Sequence, residues 1–195
     1  PLLKATYFPW YLGLLLGYHF LINFLISYID YIITNLLFLY KIINMIRLSV
    51  NINKAATLRN ARGGNNPDLI QFAKDCEKFG ADGITVHPRP DERHIRKEDV
   101  FLLKEAITSE LNIEGYPSMD FIDMVLRVKP KQVTLVPDPP DALTSSFGWD
   151  CATNREFLYD IVKSFQNKNI RVSLFISPSL NTLENLEHIL PDRIE

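Results

Sequence analysis

From Arg47 to Glu195 the chain repeats one unit: a short strand-like run, then an amphipathic stretch of helical length. Arg47–Asn53, Gly83–His87, Asn112–Tyr116, Gln132–Val136 and Arg171–Ile176 read as strands, and Arg193–Glu195 as the start of a sixth. Helices are expected over Asp68–Lys78, Lys97–Leu111, Met119–Val128, Thr153–Gln166 and Leu180–Leu190. In the first of these, Leu69, Phe72, Ala73 and Cys76 fall on one face, and Pro67 and Asp68 suit the first turn. Lys54–Gly64 reads as a basic, glycine-terminated loop, and Pro139–Asp150 as a long one. Most of the strands read as continuous, buried-type runs, which belong to parallel sheets covered on both faces. Strand and helix alternating every 25 to 35 residues or so predict an α/β fold built from βα units.

Polar residues choose between the two common ways of closing such a pattern. Asn51 and Asn53, His87 and Arg89, Glu114, and Pro137-Asp138 stand at the C-terminal ends of successive strands. A (β/α)8 TIM barrel gathers those ends around one axis, where its chemistry occurs. A doubly wound sheet concentrates its site at a single switch point. The barrel is the expected fold. Eight units take about 250 residues, and residues 45–195 hold about five and a half, so the barrel is expected to be C-terminally truncated.

Residues 1–44 differ in kind. Their only charged side chains are Lys4, Asp30 and Lys41, and they are crowded with Leu, Ile, Phe and Tyr. Tyr18–Tyr40 has the length and composition of a membrane-spanning helix, although Asp30 near its middle is costly there. The first methionine is Met45, directly before the first strand. The apolar extension is therefore expected to be either upstream sequence outside the native protein or a membrane-spanning segment. The partial barrel over residues 45–195 is the working domain.

A net charge of −2 gives no reason to expect a nucleic-acid partner. Cys76 and Cys151 are far apart and have no metal-ligand spacing, which argues against a disulfide framework and fits a reducing compartment.

The chemistry concentrates in Ile84-Thr85-Val86-His87-Pro88-Arg89-Pro90-Asp91-Glu92-Arg93-His94. A β-branched run breaks into histidines, arginines and acids, as the end of a buried parallel strand does when it opens into a reaction site. An imidazole titrates nearest neutrality, and a carboxyl such as Glu114 reaches that range when burial raises its pKa. Arg62, Arg89 and His94 are cationic donors suited to phosphate groups. Arg59 reads as loop solvation or a salt bridge, and Asp91, Glu92 and Arg93 as a self-pairing surface cluster.

Several motifs, in order, resemble one family. Asn51-Ile52-Asn53-Lys54-Ala55-Ala56-Thr57-Leu58-Arg59-Asn60-Ala61-Arg62-Gly63 is similar to the opening strand and loop of pyridoxine 5′-phosphate synthases. Gly80-Ala81-Asp82-Gly83 leading into Ile84–Arg89, followed by Asp91–Ile95, resembles that family's second-strand signature. Leu135-Val136-Pro137 and Val172-Ser173-Leu174-Phe175-Ile176 are similar to its fourth and fifth strands. The resemblance implies a (β/α)8 barrel that condenses 1-deoxy-D-xylulose 5-phosphate with 3-amino-2-oxopropyl phosphate. The products would be pyridoxine 5′-phosphate, phosphate and water, in vitamin B6 biosynthesis. It implies a cytoplasmic homo-octamer that needs no organic cofactor and no metal. It places His87 and Glu114 as proton-transfer residues and Asn51 and Arg62 at the amino-ketone phosphate. Asn53, Lys54, Arg89, His94 and Thr144 would line the deoxyxylulose phosphate. Many members carry Asp-His where this chain has Asn53-Lys54, which exchanges an anion and an imidazole for an amide and an ammonium. A further catalytic histidine and a Gly-His-Gly phosphate segment are implied after the sixth strand, beyond Glu195.

Two other readings compete. One is a catalytically incompetent, membrane-tethered or partner-requiring partial barrel. The other is a sugar-phosphate enzyme working through a Schiff base, with Lys54 as its amine.

Overall fold

A computed structural model describes residues 8–138 and 147–195. The chain divides into two compact units between Ile46 and Arg47. The first is one helix, α1 (Phe8–Met45). Within it, Leu21–Tyr40 has a mean hydropathy of 1.6 and no residue buried inside the structure. At about 1.5 Å per residue, those 20 residues are long enough to cross the hydrocarbon of a bilayer.

The second unit is a six-stranded, wholly parallel sheet in chain order. Its strands are β1 (Ser49–Asn51), β2 (Gly83–Val86), β3 (Glu110–Gly115), β4 (Gln132–Leu135), β5 (Arg171–Leu174) and β6 (Arg193–Ile194). Every neighbour pair is sequential, as in an unrolled portion of a barrel. The helices are α2 (Asn53–Arg62), α3 (Leu69–Lys78), α4 (Lys97–Ala106), α5 (Met119–Val128), α6 (Arg155–Gln166) and α7 (Leu180–Ile189).

Three sequence expectations need correction. The basic loop after the first strand is the helix α2. Its Ala55, Ala56, Leu58, Arg59 and Ala61 are strong helix formers, and that propensity outweighs the charge that made the stretch look loop-like. The helix expected over Lys97–Leu111 stops at Ala106, where the β-branched pair Ile107-Thr108 intervenes, and β3 already begins at Glu110.

The third correction concerns the strands, which alternate. Leu111 and Ile113, Val133 and Leu135, and Val172 and Leu174 are buried in the apolar core with residues of the helices. Thr85, Asn112, Thr134 and Ser173 take the other pleat and are buried too. Burying hydroxyls and amides without partners would cost about 1–3 kcal/mol each, and Thr85, Asn112 and Thr134 bond one another. Ser49 Oγ and Thr85 Oγ1 lie 2.8 Å apart, Asn112 Nδ2 donates to Thr85 Oγ1 (3.3 Å), and Thr134 Oγ1 donates to Asn112 Oδ1 (3.1 Å). One layer nearer the strand N-termini, Glu110 accepts from Arg47 (3.2 Å) and Arg171 (2.5 Å). The sequence looked uninterrupted because both faces are covered, one by apolar and one by polar packing.

Helix α5 shows how the core is tied to the strand ends. The Ser118 side chain caps it by accepting from the Phe121 N–H at 3.3 Å. Lys129 closes it in the left-handed conformation. Phe121, Met124, Val125 and Val128 recur at helical spacing and are buried, each contributing about 1.5–3 kcal/mol. The Phe121 ring lies where a Cβ on Gly115 would stand. A side chain at 115 would push α5 off the end of β3, next to Glu114.

Candidate active site

Loops leaving the C-terminal ends of β1 to β4 converge. The register sets their starts: Asn51 is paired with Thr85 and Val86 with Ile113, so His87 and Glu114 leave neighbouring strands at the same level. His87 Nδ1 lies 3.9 Å from Glu114 Oε2, too far for a hydrogen bond but within one proton-carrying shift. The His94 ring stands edge-on to His87, with centroids 6.1 Å apart. Asn53 Oδ1 accepts the His87 backbone N–H at 2.9 Å, and Asn51 Oδ1 accepts that of Asn53 at 3.0 Å. The first strand's amides thus fix where the second strand ends.

Arg89 is buried, and its guanidinium donates to Asp138 Oδ2 at 2.9 Å. A buried cation of this kind needs a close anion. Asp138 provides it from the end of β4. Lys54 is exposed in the first turn of α2, and its charge helps lower the His94 pKa. Arg62 is exposed at the last turn of α2, outside this hydrogen-bonded cluster. Thr144 lies outside the described residues. Asp91 and Arg93 do pair with each other, at 2.7 Å.

Electrostatics pulls the two central groups in opposite directions. Burial, then the charges of Arg89, His94 and Arg93, push the His87 imidazole down to about 3. Burial, then the negative charges of Glu195 and Asp138, push the Glu114 carboxyl up to about 7. Burial, followed by Arg89 and Arg93, holds His94 below its ordinary value. The 3.9 Å approach of His87 to Glu114 would favour an ion pair, but both groups are nearly dry, and desolvation wins. Near neutral pH, His87 is a neutral imidazole that resists taking on a charge, beside a carboxyl close to half-protonated.

Two hollows meet this group. A groove of about 310 Å³ runs along the inner face of the strands, past Asn51, Thr85, Asn112, Glu114 and Glu195. A small pocket of about 50 Å³ lies between His87, Arg89, Tyr116, Phe121 and Asp138. Tyr116 stacks on Trp149 with centroids 5.9 Å apart, and the Trp149 indole N–H donates to the Leu135 carbonyl at 3.0 Å. Among the described residues, no group of three His, Cys, Asp or Glu side chains is arranged to hold a metal ion.

Sequence reasoning noticed Asp138 as a strand-end residue but not as the anion of Arg89. It missed Glu195, which follows β6 and faces Glu114 across the groove. An inward position two residues beyond Arg193 is the one signal that pointed to it.

A sequence profile described as "Pyridoxal phosphate biosynthesis protein PdxJ" matches residues 48–195. A pyridoxine 5′-phosphate synthase of Phocaeicola vulgatus is 58% identical over 151 residues, covering 77% of this chain and 63% of that protein. The synthase of Bacteroides fragilis is 57% identical over 151 residues, covering 77% and 64%. The chain therefore spans less than two thirds of the length of these relatives. A solved mandelate oxidase variant bound to 2-hydroxy-phenylacetamide superposes with a TM-score of 0.52 at 9% identity. That match covers 76% of this chain and 54% of the oxidase, and it speaks to the fold alone.

Proposed function

The chain belongs to the PdxJ family of pyridoxal phosphate biosynthesis proteins, and from that membership we propose that its strand-end cluster is the site of a pyridoxine 5′-phosphate synthase. The reaction is the condensation of 1-deoxy-D-xylulose 5-phosphate with 3-amino-2-oxopropyl phosphate, giving pyridoxine 5′-phosphate, inorganic phosphate and water. The whole fold is a (β/α)8 barrel, and the assembled enzyme is a cytoplasmic homo-octamer that works without an organic cofactor or metal. Residues 1–44 lie outside the family match and take no part in this reading.

The observation that carries it is a neutral His87 facing a carboxyl, Glu114, whose pKa burial brings to about 7. The amine must lose a proton as it adds to the ketone, water must leave, and ring closure requires further transfers. Glu114, titrating near neutral pH, can give and take those protons, worth roughly 10²–10⁴-fold, and the neutral His87 imidazole can relay one, taking it at one ring nitrogen as it releases one from the other. Arg89, held by Asp138, and His94 face the ketose phosphate, with Asn53, Lys54 and Thr144 along the same substrate. Asn51 and Arg62 hold the phosphate of the amino-ketone.

Incubating the chain, extended by the later strands its relatives carry, with both phosphates should yield pyridoxine 5′-phosphate and inorganic phosphate in equal amounts. His87→Ala or Glu114→Ala should lower the rate by about 10²-fold or more. Unchanged turnover in both variants would refute the assigned roles. Binding of both phosphates without product would favour a barrel that binds but does not turn over.

A further inference from the structure

The loop between β2 and α4 carries Arg89 and His94 yet contains no helix or strand from His87 to Arg96. Such a segment keeps a binding geometry only where something fixes its backbone. Glu92 within it has φ 52°, a left-handed conformation that a non-glycine residue holds only under constraint.

The constraint comes from α2. Arg59 is 2% exposed. Its Nη1 donates to Asp99 Oδ1 at 2.6 Å and its Nη2 to Asp99 Oδ2 at 2.8 Å. The same Nη2 donates to the His94 carbonyl at 3.1 Å. The Asn60 amide donates to that carbonyl at 2.8 Å and to the Glu92 carbonyl at 3.2 Å, while its Oδ1 accepts from Arg59 Nε at 3.1 Å. Asp99 also accepts the Arg96 N–H at 2.8 Å and so caps α4. The His94 carbonyl is therefore gripped by two consecutive residues of α2, and the turn from Glu92 to Arg96 is held at both ends. On the other side of the same residue, His94 Nδ1 accepts the Ile95 N–H at 3.0 Å, which fixes the ring and leaves Nε2 for the site.

A buried ion pair by itself is weak evidence of stabilisation. Here the pair joins two helices, α2 and the first turn of α4, and its third bond lands on a site residue. Arg59 is too deeply buried to touch a substrate. We propose that Arg59 is a positioning residue. With Asn60 and Asp99 it fixes the turn presenting Arg89 and His94, and so sets the affinity for the phosphorylated ketose. This inference rests on the functional reading given above.

Arg59→Lys tests it, because an ammonium keeps the charge but cannot make the forked contact to Asp99 together with the bond to His94. Asn60→Ala is the milder companion, since it removes the carbonyl bonds and spares the ion pair. Amide hydrogen exchange should accelerate across residues 91–96 in both variants, with β3 still protected. Calorimetry on the full chain, below the melting temperature of each variant, should show the Kd for 1-deoxy-D-xylulose 5-phosphate raised about tenfold or more in Arg59→Lys, in line with a displaced binding group. The Kd for 3-amino-2-oxopropyl phosphate should change by less than about twofold, because Arg59 does not grip the groups assigned to it. Unaltered loop exchange, or an equal loss for both phosphates, would overturn the proposal. If Arg59→Lys does not fold, Asn60→Ala decides by the same two readouts. A wild-type chain that binds neither phosphate would refute the functional reading, while the exchange data would still decide the role of Arg59.

Discussion

Replacing Glu114 by Gln should make the protein more stable at pH 8 and nearly leave it alone at pH 5. Burial and the charges of Glu195 and Asp138 raise this carboxyl from an ordinary 4.5 to about 7, and its side chain is only 14% exposed, so solvent screens little of the effect. A raised carboxyl pKa means that the folded state holds a proton the unfolded state has released. Stability contributed by that proton is complete below pH 4.5 and is lost as pH rises through about 7. With each pKa step worth about 1.36 kcal/mol, ionised Glu114 destabilises the fold by about 3 kcal/mol at pH 8 and by under about 1 kcal/mol at pH 5. Gln keeps the shape and cannot ionise. Urea denaturation of wild type and Glu114→Gln at both pH values gives two stability differences. The gain from the substitution should be about 2.5 kcal/mol larger at pH 8. His87, with its pKa at about 3, is neutral in the folded state across this window and is present in both proteins, so it cancels. Equal differences at the two pH values would refute the claim that Glu114 sits dry and proton-bearing beside His87.

Other consequences follow from the same geometry. Asp138→Asn leaves the buried Arg89 without its carboxylate and should destabilise the fold by about 3 kcal/mol, read by the same denaturation. Gly115→Ala drives a methyl into the Phe121 ring and should cost about 1–3 kcal/mol, and an unchanged midpoint would show that α5 yields freely. In Glu114→Gln, falling pH should destabilise the fold between about 6.5 and 3, because the unfolded chain takes up a proton at His87 that the folded site refuses, whereas in the wild type the proton taken up by Glu114 offsets that loss above about pH 4.5. Adding His87→Gln to that variant should flatten that limb of the stability–pH curve.

The parallel α/β architecture was legible in the sequence because strand and helix periods repeat with short connections. So was the family, because its motifs fall in one order. The stretch after the first strand read as a loop but is a helix, and a one-dimensional string left Arg59 open between solvation and a salt bridge. Folded, Arg59 is among the most deeply buried side chains and Arg62 is exposed. What separates them is a partner, Asp99, 40 positions away. Arg89 with Asp138, and Glu114 facing Glu195, are likewise products of sheet register, which local spacing does not encode. His87 and Glu114 were visible because each ends a strand. That one would be neutral and the other half-protonated depends on how dry the folded site is, and no motif states that.

The most direct test follows the histidine Cε1–H signals by NMR while 1-deoxy-D-xylulose 5-phosphate is added to the chain. His87 and His94 should shift saturably, and exposed His188 on α7 should stay in place as an internal control. Arg89→Ala should abolish the shifts. If His87 and His94 do not move in the wild-type chain, this wall of strand ends does not hold the phosphorylated ketose.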